Sequence, residues 1–145
     1  MSLRPESSCN GYTGCMPFTA AVINSNEDTV EMLRFALERE GLNTVTAHIA
    51  DIKRGTTDFL EFMKTHDPAI VVYDIGHPYK ENWVFLHLLM NTDAGKRTKF
   101  FFTTTNKALL RKAAGPDIGA FELSEKPYDL VVLVQSVKRL LGIAA

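Results

Sequence analysis

Three polar residues stand where predicted β-strands end, and their side chains could act together. Asp74 ends the apolar run at residues 69–73, Thr104 follows the run at residues 99–103, and Lys126 follows a weaker fifth run. The carboxyl ends of neighbouring parallel strands meet at one edge of a sheet, so we expect these side chains to lie close together. A carboxylate nucleophile, a hydroxyl donor and an ammonium group that offsets oxygen charge suit the transfer of a phosphoryl group onto Asp74. Taken alone, Asp74 is equally well explained as a helix cap or a turn residue.

The rest of the sequence predicts the framework that would position these residues. From residue 18 onward, short apolar runs alternate with longer helical patterns, which is typical of a parallel sheet covered by helices. Asp28 is expected to cap the first helix and Gly41 to end it. Strands are predicted at residues 18–23, 43–47, 69–73, 99–103 and near 119–123. Helices are predicted from Val30 to Leu37, from Phe59 up to the stop at Asp67-Pro68, and at residues 82–90, 107–114 and 130–141, with a polar stretch between residues 47 and 59.

Length, composition and charge limit the class of protein. The 145 residues, of which 46% are hydrophobic, suit one compact domain with a single core. A count of 16 basic against 17 acidic residues gives a net charge of -1, so no basic field indicates a nucleic-acid partner. No apolar stretch approaches the ~20 residues that span a bilayer, and the N-terminus lacks the layout of a signal peptide. We therefore expect a cytoplasmic protein with no membrane partner.

Residues 1–17 are predicted to be a flexible N-terminal segment ahead of a domain at residues 18–145. The segment is rich in Ser, Gly and Asn and holds both cysteines, Cys9 and Cys15. Their spacing would permit a local disulfide or a shared soft metal. A metal site would need two further Cys or His ligands, however, and none stands nearby in the sequence, so we expect two reduced thiols.

Four stretches together make the chain resemble the receiver domain of two-component response regulators. Residues 31–41 resemble the first receiver helix, and Asp74 with a proline four residues on resembles the phosphoacceptor loop. Residues 119–120 and 126–127 resemble the signature of the fifth receiver strand. The resemblance covers residues 18–141 and implies an α/β, flavodoxin-like, doubly wound sheet of five parallel strands in the order 2-1-3-4-5, with five flanking helices.

The same resemblance implies roles for the three polar residues. Asp74 would be the phosphoacceptor, Thr104 the switch hydroxyl, and Lys126 the ammonium that contacts the phosphoryl group, ahead of a cis peptide at Pro127. The implied partners are a histidine kinase or phosphotransfer protein and a downstream protein target, with homodimer formation left open. A receiver is a signalling module, so we expect no enzyme.

The metal site is where the sequence departs most from that pattern. Receivers usually carry two adjacent acidic residues after the first strand, which hold Mg²⁺, and here those positions are Asn24 and Ser25. The candidate ligands that remain are Asp74, Asn24, Ser25 and Gly76. At an effective dielectric of ~20 and a separation of ~4 Å, each lost charge forfeits about 4 kcal/mol of gross attraction per unit of ion charge. We therefore expect Mg²⁺ binding to be weak or absent.

Two acidic residues just downstream offer an alternative source of metal ligands. Glu27 and Asp28 could in principle replace the missing pair. They also fall at the predicted start of the first helix, where the helix dipole and capping favour acidic residues, and this structural explanation suffices without a metal.

A second departure concerns Leu123. Receivers usually have Tyr or Phe at this position, and that aromatic ring changes rotamer as the switch hydroxyl moves. Leu cannot make the same movement, so we expect coupling between Asp74 and the surface of the fourth helix and fifth strand to use another route or to be lost.

Several residues have simpler explanations than a functional one. His77, three residues beyond Asp74, could bind a metal or relay a proton, but an exposed loop histidine is the favoured interpretation. The run at residues 100–102 is expected to be core, because a central parallel strand is covered on both faces. Trp83 is either an exposed recognition residue or a buried one.

Three hypotheses for function remain. The first is a degenerate receiver, or pseudo-receiver, that acts through protein contacts with weak or no Mg-dependent phosphorylation. The second is a conventional response regulator phosphorylated on Asp74. The third, a flavodoxin-like nucleotide or flavin binder, is disfavoured because residues 24–28 carry two acids where a phosphate cradle would want Gly, Ser and Thr.

Overall fold

The described residues form one five-stranded parallel sheet. The structure, a computed structural model, describes residues 18–126 and 129–143. The strands lie in the predicted order β2-β1-β3-β4-β5. They are β1 (Thr19–Asn24), β2 (Asn43–His48), β3 (Ile70–Asp74), β4 (Lys99–Thr104) and β5 (Glu122–Glu125). Strands β1 and β3 are buried throughout, as expected of central strands that are covered on both faces.

Seven α-helices are found in the described part of the chain, where five were predicted. They are α1 (Glu27–Arg39), α2 (Ile49–Arg54), α3 (Phe59–His66), α4 (Tyr79–Met90), α5 (Asp93–Lys96), α6 (Lys107–Ala114) and α7 (Leu130–Leu140). Helices α1 and α7 pack on one face of the sheet, and the others supply the core of the opposite face. None of these helices is long and apolar enough to cross a membrane.

The two helices that the sequence did not predict are short. Helix α2 has six residues, buries only Ile52 fully, and ends at Gly55, whose φ of 82° suits glycine. Helix α5 has four residues and is capped by Thr92, whose hydroxyl accepts a hydrogen bond from the Gly95 N–H at 3.0 Å. Neither helix is long enough to show a repeating apolar pattern, so the 3.6-residue period gave no indication of them.

The apolar residues of the central strands divide between two cores. Phe100 and Phe102 belong to the core beneath α2 to α6, whereas Phe101 belongs to the core beneath α1 and α7. This alternation follows from the two-residue period of a strand. The prediction that residues 100–102 are core is confirmed, since all three are buried.

Two predicted boundaries are wrong. Asn26, not Asp28, caps helix α1, because its side-chain oxygen accepts a hydrogen bond from the Thr29 N–H at 2.9 Å. The fifth strand begins at Glu122 rather than near residue 119, because Pro116–Ala120 form a 3-10 helix. Proline fixes its own φ and lacks an N–H, which suits the first turn of such a helix.

Some sequence predictions lie outside the described residues. These are the flexible segment at residues 1–17, the state of Cys9 and Cys15, and the cis peptide before Pro127. Among the described residues, the cis peptide bond is at His77-Pro78.

Candidate functional site

Asp74 is delivered to the carboxyl edge of the sheet by a buried strand. It is the last residue of β3, which lies between β1 and β4, and it is only 8% exposed. Its partner in the β3–β4 register is Thr103. Residues paired in this way point to the same face of a sheet, so the register brings a hydroxyl group beside the carboxylate.

One oxygen of the Asp74 carboxylate is held by two donors. The Thr103 hydroxyl donates to Asp74 Oδ1 at 2.8 Å, and Lys126 Nζ lies 2.9 Å from the same atom. The Lys126 backbone is fixed by its own N–H, which donates to the Thr104 carbonyl at 2.7 Å. The sequence prediction that Asp74 and Lys126 meet at this edge is therefore what the structure shows.

The structure brings Thr103, not Thr104, to Asp74. Thr104 is fully buried, and its hydroxyl accepts a hydrogen bond from the Asn106 N–H at 3.4 Å. Sequence reasoning chose Thr104 because it follows the apolar run, but β4 continues through that residue. Since successive strand residues point to opposite faces, a difference of one residue changes which hydroxyl faces the carboxylate.

The side chain of Asn24 is committed to its own turn. It is buried, and its Oδ1 accepts hydrogen bonds from the N–H groups of Ser25 at 2.7 Å and Asn26 at 2.9 Å. This is the local pattern that Asn adopts where a strand gives way to a loop. An oxygen used in this way has less capacity left for a cation.

A cavity of about 230 Å³ lies beside Asp74. Its polar lining includes Ser25, Lys53, Asp74, Gly76, His77 and Asn82. Asn82 Nδ2 donates to the Gly76 carbonyl at 2.7 Å, and Lys53 Nζ donates to Asn82 Oδ1. Sequence reasoning missed Lys53 and Asn82, because the helix that carries Lys53 was not predicted and Asn82 was placed only at a helix start.

The overall structure is similar to solved receiver domains, although sequence comparison finds none. No protein-family model matches the sequence, and no curated protein matches it. Similar structures include the chemotaxis protein CheY4 of Vibrio cholerae, with 19% identity, a TM-score of 0.67, and coverage of 85% of this chain and 98% of that one. A signal receiver domain from Clostridium thermocellum shares 23% identity with a TM-score of 0.68, covering 88% of this chain and 100% of its own. A response regulator receiver protein from Burkholderia phymatum shares 20% identity with a TM-score of 0.65, covering 88% and 97%.

The chain has the CheY-like receiver fold. The match extends over nearly the whole length of each of those structures, and it includes the strand order predicted from the sequence. At this level of identity the likeness establishes the fold, and the chemistry of the site has to be argued from the residues of this chain.

The residues present do not fit the Mg²⁺ that the receiver fold implies. Asp74 contributes one carboxylate, and Lys126 already neutralises it. In the part of the chain that the structure describes, no group of three or more His, Cys, Asp or Glu side chains could hold a metal ion. Glu27 and Asp28 are exposed in the first turn of α1, where helix dipole and capping account for them. Mg²⁺ prefers a near-octahedral set of oxygen ligands that includes carboxylates. The residues that line this cavity do not supply such a set.

Tyr73 and His77, which are near Asp74 in the sequence, differ in their exposure to solvent. Burial, followed by the nearby charge of Asp74, raises the pKa of Tyr73 well above its ordinary value, so the phenol stays neutral. His77 is exposed and lies edge-on to Tyr79, with ring centroids 5.8 Å apart. The exposed setting agrees with the favoured interpretation of His77 as a loop residue.

An aromatic cluster lies in the core on the face of the sheet that α2 to α6 cover. Trp83 is buried, and its ring centroid is 5.8 Å from that of Phe102 and 6.2 Å from that of Phe121. Leu123 is half-buried and packs against the same core. The question left open for Trp83 is thus decided in favour of burial.

Proposed function

We propose that this chain is a receiver-like signalling module, not an enzyme, that acts through protein contacts with weak or no Mg-dependent phosphorylation of Asp74. The observation that carries the proposal is the Asp74–Lys126 ion pair of 2.9 Å beside an Asn24 side chain that is turned onto its own backbone. In this arrangement an internal ammonium balances the buried carboxylate, and the site needs no metal to be stable.

Exposed apolar side chains on the last two helices support the proposal. On α6 and α7, three large apolar side chains are half or more exposed: Leu109, Val131 and Val132. Isolated exposed apolar residues are common on protein surfaces, but several on the last two helices give a partner protein apolar area to cover. The partner class we propose is a downstream protein target, with a second copy of this chain as the alternative.

A conventional response regulator is the second candidate function. The meeting of a carboxylate, a hydroxyl and an ammonium at Asp74, Thr103 and Lys126 favours it, because these groups suit phosphoryl transfer. In that case a histidine kinase or phosphotransfer protein would phosphorylate Asp74. The two candidates differ in whether the site accepts a phosphoryl group at all.

Incubation with acetyl phosphate and Mg²⁺, followed by intact-mass measurement, separates the two candidates. We expect no stoichiometric addition of a phosphoryl group, because in our proposal the site does not hold the Mg²⁺ that would neutralise the incoming phosphate and the transferred group. A conventional receiver treated in parallel shows that the reagent is active. Addition of one phosphoryl group that disappears in the Asp74→Asn variant would overturn the proposal in favour of the second candidate.

A further inference from the structure

Helix α2 brings a lysine to the cavity that contains Asp74. Lys53 Nζ donates to Asn82 Oδ1, and Asn82 Nδ2 donates to the Gly76 carbonyl at 2.7 Å. Gly76 is the backbone ligand that the sequence offers for Mg²⁺, and its oxygen is therefore already hydrogen-bonded. Lys53, Asn82 and Gly76 all line the cavity that also contains Asp74.

The Lys53 ammonium is positioned by two contacts from α4. One is the hydrogen bond to Asn82, and the other is the ring of Phe85, whose centroid is 5.7 Å from Nζ. Asn82 and Phe85 are three residues apart and thus share one face of α4. Although Lys53 is exposed overall, a cation held by an amide oxygen on one side and a ring face on the other has a preferred location.

We propose that Lys53, held by Asn82, prevents a divalent cation from binding in the cavity beside Asp74. This effect is independent of the absence of acidic residues at Asn24 and Ser25. A cation entering the cavity meets the Lys53 ammonium, and the single negative charge of Asp74 there is already paired with Lys126. Restoring the two carboxylates alone would therefore not restore metal binding. The inference rests on the proposed function, in which the site works with little or no Mg²⁺.

Titration with Mn²⁺, followed by electron paramagnetic resonance of the free ion, tests the inference. Mn²⁺ prefers the same kind of oxygen ligands as Mg²⁺. Three variants are compared: Asn24→Asp with Ser25→Asp, the same pair with Lys53→Met, and the same pair with Lys64→Met. Lys64 is exposed on α3, and its replacement gives a control protein with the same net charge as the Lys53 variant.

Removal of Lys53 is expected to tighten Mn²⁺ binding by about tenfold or more relative to the Asp pair alone, a change typical of residues around a metal site. Removal of Lys64 is expected to leave the affinity within about twofold, since a distant exposed charge is screened by salt. If the Lys53 and Lys64 variants bind Mn²⁺ equally well, the inference is wrong.

The same titration distinguishes failure of the inference from failure of the proposed function. If the unaltered chain already binds Mn²⁺ as tightly as the variant that combines the Asp pair with Lys53→Met, the proposed function fails, whatever Lys53 does. Near-ultraviolet circular dichroism of the buried Trp83 reports whether each variant keeps its fold. Should the paired substitution unfold the chain, the Asn24→Asp variant replaces it. Mn²⁺ affinity is then compared between Asn24→Asp alone and Asn24→Asp with Lys53→Met, and equal affinities would contradict the inference.

Discussion

At the scale of single residues, the site depends on how the charge of Asp74 is balanced. The carboxylate is buried at the end of β3. Its Oδ1 accepts a hydrogen bond from the Thr103 hydroxyl and forms an ion pair with the Lys126 ammonium. A buried charge is tolerated only when it is paired and hydrogen-bonded. Lys126 is therefore expected to stabilise the folded chain as well as to shape the site.

Replacement of Lys126 by Met is expected to lower the free energy of unfolding by about 1–3 kcal/mol, because Asp74 would lose its charged partner. Urea denaturation measures the change. Lys80→Met, which removes an exposed lysine on α4, is the control and is expected to change stability by less than about 0.5 kcal/mol. Equal effects of the two substitutions would show that the ion pair contributes nothing to folding.

Tyr73 gives a pH-dependent prediction. Its folded-state pKa is raised above the ordinary value of 10.0, so the folded chain keeps a proton that the unfolded chain loses. The contribution of the neutral Tyr73 phenol to the free energy of unfolding is complete below about pH 10. It is lost as the pH rises above that value, and the free energy of unfolding then falls by at most about 1.4 kcal/mol per pH unit. Urea denaturation from pH 8 to pH 11 should show that the unaltered chain loses more stability than Tyr73→Phe over this range. Parallel pH profiles for the two proteins would contradict the prediction.

At the scale of secondary-structure elements, the short helices α2 and α5 make contacts that the longer helices do not. Helix α2 carries Lys53 into the cavity, and α5 packs closely against the end of α4. A Cβ atom added at Gly95 would lie 2.3 Å from the Leu89 carbonyl oxygen and 2.8 Å from the Met90 Cα. Only glycine permits this approach of two backbones.

Substitution of Gly95 by Ala is therefore expected to cost about 1–3 kcal/mol of stability, as overpacking against backbone atoms usually does. Gly119→Ala is the matched control, because a Cβ there meets nothing within 4 Å and the φ of Gly119 is not in the left-handed region. Its stability should stay the same or rise slightly. Thermal unfolding compares the two, and a Gly95→Ala protein as stable as Gly119→Ala would contradict the packing described here.

The elements also explain what could be predicted from the sequence. The alternation of strands with helices was enough for the α/β class and for the meeting of Asp74 with Lys126, whereas the strand order came from the resemblance to receiver domains. The sequence could not show whether Thr103 or Thr104 faces Asp74. The answer depends on which residue of β4 pairs with Asp74, and a shift of one residue reverses the face of the sheet. Lys53 was missed because a six-residue helix with one buried position has no apolar repeat to detect.

At the scale of the whole molecule, the chain has the receiver fold with a buried carboxylate at the edge of its sheet. The sheet is covered on both faces by two separate cores, and the carboxyl edge of its central strands carries Asp74. The fold extends over the described chain, and we propose that Asn24, Ser25 and Lys53 leave its site with little or no affinity for Mg²⁺. In our proposal, function at this scale depends on surfaces that meet other proteins.

Calorimetric titration of the unaltered chain with Mg²⁺ tests the central claim most directly, namely that Asp74 sits in a receiver-like site without a receiver's metal. We predict no saturable heat of binding up to millimolar Mg²⁺, because one neutralised carboxylate and a nearby ammonium do not hold this cation. The Asp74→Asn variant should give the same trace as the unaltered chain. Saturable one-site binding at micromolar Mg²⁺ that is lost in Asp74→Asn would contradict the account.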